Sequence, residues 1–133
     1  MIDINNFSKF KADEKSFSQV AKKVLSGENR KTTISLAFVN KAEMKKLNNE
    51  FRKKNKPTDV LSFELSEGKS LGEIIICSSV VKENAKKYKV SVKREMLKVF
   101  VHGILHLLGY DHEKSKSQVE IMEAKEKFYL SKL

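Results

Sequence analysis

The chain has one cysteine, one proline and no tryptophan among its 133 residues. A lone cysteine, Cys77, excludes an intrachain disulfide and fits a reducing compartment. At the end of an Ile-rich segment it reads as a small, buried, inert side chain. With one proline and five glycines there is no Pro- or Gly-rich linker, and no repeat or low-complexity tract breaks the sequence. Long apolar runs are missing too, and the start, Met1-Ile2-Asp3-Ile4, is not basic. Neither a signal peptide nor a membrane span is therefore expected. Acidic residues are outnumbered, 17 against 27 basic ones, for a net charge of +10. That balance suits a polyanion such as RNA, DNA or an anionic membrane surface, although a lysine-rich surface also serves solubility. The length is that of one domain with a real core.

Histidine is scarce as well, and its placement is the most informative feature of the chain. All three histidines fall in one stretch, His102-Gly-Ile-Leu-His106-Leu-Leu-Gly109-Tyr-Asp-His112. His102 and His106 are one helical turn apart and project from the same face. On a continuous helix His112 would lie on nearly the opposite side. Gly109 offers a way round this, because glycine just past a helix end readily takes the left-handed conformation that turns the chain back. Three neutral imidazoles with one open position are the donor set of a catalytic zinc site, one ion per chain. Imidazole also suits nickel, copper and iron.

The residue after the first histidine is missing its side chain. The spacing matches H-E-x-x-H-x-x-G-x-x-H of the metzincin proteases, whose glutamate acts as general base. Here that position is Gly103, which leaves no carboxylate there to activate water against a peptide. Glycine inside a helix costs about 1 kcal/mol relative to alanine. Close helix packing or room above a metal for a bulky phosphodiester would each account for it.

Apolar periodicity and turn chemistry predict the elements. Ile2 to Asn5 reads as a strand. Ser16 to Leu25 reads as a helix with Phe17, Val20, Ala21, Val24 and Leu25 on one side, stopped by Gly27. Thr32 to Val39 is a strand. Asn40 caps a helix through about Phe51, with Met44, Leu47 and Phe51 as its apolar side. Arg52 to Asp59 forms a basic loop. Val60 to Leu65 and Leu71 to Cys77 pair as a hairpin around a turn at Glu67 to Ser70. A helix starting at Ser78 or Ser79 runs through Tyr88. The histidine helix starts near Ser91 and is apolar nearly all round, hence buried. A last helix, about Ser117 to Leu130, carries Val119, Ile121, Met122, Phe128 and Leu130. The expected fold class is α+β: a single domain with a small mixed β-sheet covered mainly by helices, and a zinc site at the C-terminal end of a buried helix.

Four blocks taken together point to a family. They are Leu47-Asn48-x-x-Phe51-Arg52, Pro57-Thr58-Asp59-Val60-Leu61-Ser62-Phe63, Leu71-Gly72-Glu73-Ile74, and the histidine stretch ending Tyr110-Asp111-His112. The combination resembles the YbeY family of bacterial endoribonucleases, which are rRNA maturation factors. Two positions depart from the usual pattern: Glu64 stands where the family often has proline, and Glu73 where it usually has aspartate. The resemblance implies a zinc-dependent, single-strand endoribonuclease in the cytoplasm, acting on the 3′ end of small-subunit rRNA and in ribosome quality control. Its partners would be RNA and small-subunit components, with no membrane and no DNA.

The resemblance marks Arg52 for the active site beside the ligands His102, His106 and His112. A guanidinium offers a planar fork for phosphate oxygens, while a basic residue at a helix end is also what the macrodipole favours. Lys53, Lys54 and Lys56 extend the basic loop. Lys86, Lys87, Lys89, Lys93 and Arg94 form a second basic stretch that either steers RNA or is simply solvated. Thr58 and Asp59 read as turn and cap residues, and Asp111 as a turn residue or an acceptor behind a ligand. Two rival classes stand beside the nuclease: a metallopeptidase, favoured by the spacing and opposed by Gly103, and a non-catalytic RNA-binding assembly factor, favoured by charge and opposed by the open metal position.

Overall fold

The runs of β-branched and aliphatic residues form four strands, β1 (Ile2–Asn6), β2 (Thr33–Val39), β3 (Val60–Glu64) and β4 (Ser70–Cys77). The helices are α1 (Glu14–Gly27), α2 (Lys41–Arg52), α3 (Ser78–Tyr88), α4 (Val92–Leu107) and α5 (Lys116–Ser131). This computed structural model describes residues 2–65, 70–110 and 115–133. The predicted turn at Glu67 to Ser70 thus lies outside the described residues except for Ser70, which begins β4.

The sheet order is β1-β2-β4-β3. β1 and β4 flank β2 in parallel, and β3 pairs antiparallel with β4, as the hairpin reading requires. The sheet is mixed and leaves β3 at one edge. On one face Ile34, Leu36, Phe38, Ile74 and Ile76 pack with the apolar sides of α1 and α4. On the other Ala37, Val39, Leu61, Ile75 and Cys77 meet Met44 of α2. Cys77 is fully buried, as expected.

Two caps fall where the sequence puts them, and a third lies upstream of the predicted start. Asn40 accepts from the Glu43 N–H at 2.9 Å and Ser91 from the Arg94 N–H at 3.1 Å. Asp13 begins α1 earlier than predicted by accepting from the Ser16 N–H at 3.3 Å. α4 is the central element, packed against α1, α3, α5, β3 and β4. Its residues from Met96 to Leu107 are buried apart from Lys98, His102 and His106. A buried helix holds what it carries rigidly, and His102 and His106 are carried on the C-terminal half of this one. No described helix is long and apolar enough to cross a membrane.

Three expectations need correction. Gly27 does not stop α1 but is its last residue, and Asn29 takes the left-handed conformation (φ 58°) beyond it. A Cβ on Gly27 would lie 2.5 Å from the Tyr129 hydroxyl oxygen, so this glycine admits the α5 tyrosine. In α2 the buried positions are Met44 and Asn48, and Phe51 is left exposed. In α5 the buried positions are Met122 and Tyr129, with Ile121 and Phe128 exposed.

Candidate active site

A cleft of about 400 Å³ runs along the edge strand β3. α4 contributes His102 and His106 to it, α2 contributes Phe51 and Arg52, and β3 contributes Val60 to Phe63. Thus three of the four residues singled out from sequence, Arg52, His102 and His106, share one cavity. The fourth, His112, lies outside the described residues, as do Asp111 and the remainder of that segment to Lys114. Among the described residues no three His, Cys, Asp or Glu side chains are grouped to hold a metal.

His102 is half-buried and His106 exposed. The Nδ1 edge of His102 meets a carboxylate oxygen of Glu126, which reaches it from α5. A carboxylate on Nδ1 is the pairing by which metal-binding histidines are commonly oriented. Two imidazoles from one helical face, one braced by a carboxylate, fit a borderline transition ion such as zinc. Glu126 gave no signal in the sequence, because its partner is a histidine in another helix.

Arg52 is the last residue of α2 and is exposed. Among the described residues no carboxylate forms an ion pair with it. Immediately after it Lys53 turns the chain in the left-handed conformation (φ 57°, ψ 33°). The basic loop that follows is tied down from inside. Asn48, only 1% exposed, donates from Nδ2 to the Lys56 carbonyl at 2.8 Å. Its position one turn after Met44 on the buried stripe was the readable signal. Downstream, Asp59 accepts from the Val60 N–H at 2.8 Å and its carbonyl accepts from the Cys77 N–H at 2.9 Å, which anchors the start of β3. This is the cap-like role expected of it. Lys86, Lys87, Lys89, Lys93 and Arg94 are all exposed, and none lines the cleft.

The two explanations of Gly103 separate here. Gly103 is buried, and a Cβ on it would lie 3.1 Å from Ile74 Cγ2 and 3.2 Å from Ser62 Oγ. The glycine therefore lets α4 close onto β3 and β4, and it is not among the residues lining the cleft. Close packing accounts for it without appeal to substrate room.

Past α4, Gly109 has φ +105°, the positive φ its position calls for. The Tyr110 N–H returns to the Leu105 carbonyl at 3.1 Å. The Tyr110 hydroxyl donates to Glu28, which also accepts from the Tyr129 hydroxyl and from Lys125 Nζ at 3.1 Å. Burial alone would push the Glu28 carboxyl up, but these donors outweigh it and hold the pKa below the ordinary value. The same contact raises the Tyr110 hydroxyl, and burial followed by Glu28 raises that of Tyr129. Glu28 thereby clasps α1 and α5 to the turn that leads towards His112.

The sequence profile described as Endoribonuclease YbeY matches residues 3–133. The chain belongs to the YbeY family. Among similar YbeY proteins, Endoribonuclease YbeY of Thermotoga neapolitana is 39% identical over 133 residues, which is 100% of this chain and 89% of that protein. Endoribonuclease YbeY of Bdellovibrio bacteriovorus is 43% identical over 97 residues, 73% of this chain but only 65% of that protein. A solution structure of a Thermotoga maritima protein superposes with a TM-score of 0.75 at 35% identity, covering 98% of this chain and 87% of that one. The small α+β architecture is therefore shared with a solved neighbour.

Proposed function

We propose that this protein is a zinc-dependent endoribonuclease that cuts single-stranded RNA. The observation that carries the reading is the cleft that gathers Arg52 with His102 and His106. The name of its relatives, Endoribonuclease YbeY, supports the reaction. His112 completes the proposed ligand set from its place in the sequence after Gly109. When bound, zinc supplies a Lewis acid for a phosphoryl oxygen and makes water a usable nucleophile near neutral pH. The chain's own groups do the rest. His102 and His106 present imidazole nitrogens from a rigid helix, and Glu126 fixes the ring of His102. Arg52 offers its fork to the scissile phosphate and offsets charge that develops there. Lys53, Lys54 and Lys56 draw the RNA backbone towards the cleft.

The substrate assigned is ribosomal RNA, at the 3′ end of the small-subunit species, handled in the cytoplasm with small-subunit components as partners. The charge of +10 and the single unpaired cysteine support that setting. The test pairs elemental analysis with an RNase assay. The expected result is about one zinc per chain, lost when His102, His106 and His112 are all changed to alanine. RNA cleavage should stop with chelator and return with zinc, while a peptide panel stays uncut. Metal content unchanged in the triple variant would sink the ligand assignment.

A further inference from the structure

Phe51 is 57% exposed although it ends the apolar stripe of α2. Its chain neighbour is Arg52, and both line the cleft that holds His102 and His106. The ring is not loose. Phe63 of β3 packs on it with centroids 4.9 Å apart and planes at 63°. An edge-to-face pair of this kind fixes ring direction and leaves a ring face uncovered by the partner. The cleft wall beside Phe63 is Val60, Leu61 and Ser62, of which only Ser62 carries a side-chain hydrogen-bonding group, and its hydroxyl is turned to the Gly103 carbonyl at 3.4 Å. A braced aromatic ring, an adjacent guanidinium and a basic loop form the usual combination for single strands, with phosphate on the cation and base on the ring.

We infer that Phe51, braced by Phe63, is a subsite for an unpaired nucleobase next to the phosphate held by Arg52. The inference rests on the RNA-cleaving reading above and gives that reading its strand selectivity. A base inside a duplex is already stacked and paired, so it has no face to offer Phe51. Because every base has a π face, the subsite accepts purines and pyrimidines alike.

The chain contains no tryptophan, so Phe51→Trp installs a single indole reporter in the cleft. The probes are short single strands with 2′-O-methyl, phosphorothioate linkages that resist cleavage, the same strands carrying abasic riboses, and the corresponding duplex. Base-containing single strands should quench the indole, whereas the abasic strand and the duplex should not. Phe51→Ala should weaken binding of the base-containing strand roughly 10-fold and leave binding of the abasic strand unchanged. Equal quenching by the abasic strand, or unweakened binding by a folded Phe51→Ala protein, overturns the subsite. Wild-type cleavage of single-stranded RNA is scored in parallel. Its absence removes the nuclease reading itself, while its presence with unaltered Phe51→Ala binding removes the subsite alone.

Discussion

The carboxylate of Glu126 on α5 meets Nδ1 of His102 on α4, linking the last helix to the cleft. If His102 binds metal through Nε2, this contact holds the ring in the binding tautomer. Glu126→Ala should lower zinc affinity about 10- to 100-fold, measured by competition with a chromogenic chelator. Glu126→Gln, which still offers a carbonyl acceptor, should lose less. Equal zinc affinity in wild type and Glu126→Ala would reduce Glu126 to a packing residue.

Glu28 makes a prediction about acid stability. A carboxyl whose pKa is lower folded than unfolded adds stability at neutral pH. That stability is fully present above the unfolded value and disappears as pH falls through the folded one. Glu28 is of this kind, faced by Tyr110, Tyr129 and Lys125, with an ordinary value of 4.5. Glu28→Gln should cost about 1–3 kcal/mol at pH 7. In denaturant titrations the gap to wild type should close as pH drops below 4.5. A gap that stays constant down to full protonation would contradict the clasp.

Gly103 predicts a stability effect where room for a phosphodiester would have predicted a substrate effect. Gly103→Ala gains about 1 kcal/mol of helix propensity but pushes Ile74, 3.1 Å from the new Cβ, so its net effect should be small. Gly103→Glu drives a carboxylate into the helix–sheet seam and should destabilise the fold by roughly 2–4 kcal/mol. Thermal melts decide this. A Gly103→Glu protein as stable as wild type would show that the seam has room.

What the sequence revealed and what it hid follow from the range of the interactions. The helix starts at Asn40 and Ser91 were readable because the side chain and the amide it caps lie three residues apart. The hairpin was readable because β3 and β4 are neighbours in the chain. The histidine pair was readable because one helical turn puts both rings on one face. α5 was misread, because its inward face runs Met122, Lys125, Glu126, Tyr129 and includes two half-buried charged residues. Their placement makes sense only beside Glu28 and His102, which belong to other elements. Gly27 and Gly103 look like a helix stop and an empty site in one dimension, and prove to be places where Tyr129 and Ile74 come close. Phe51 was assigned to the core by periodicity, yet α2 ends at the cleft and leaves its ring in solvent.

The most direct test of the histidine–arginine cleft is single-turnover cleavage of an end-labelled single-stranded RNA by zinc-loaded wild type and by Arg52→Ala with the same zinc content. Arg52 is exposed and ion-paired with no carboxylate among the described residues, so the variant should keep its fold and metal. The account predicts a rate lower by on the order of 100-fold, as for loss of a charge-stabilising donor. Arg52→Lys should rescue it only partly, because an ammonium lacks the planar fork, and chelator should abolish the wild-type rate. Wild-type turnover by folded, zinc-loaded Arg52→Ala, or chelator-resistant cleavage by the wild type, would contradict it.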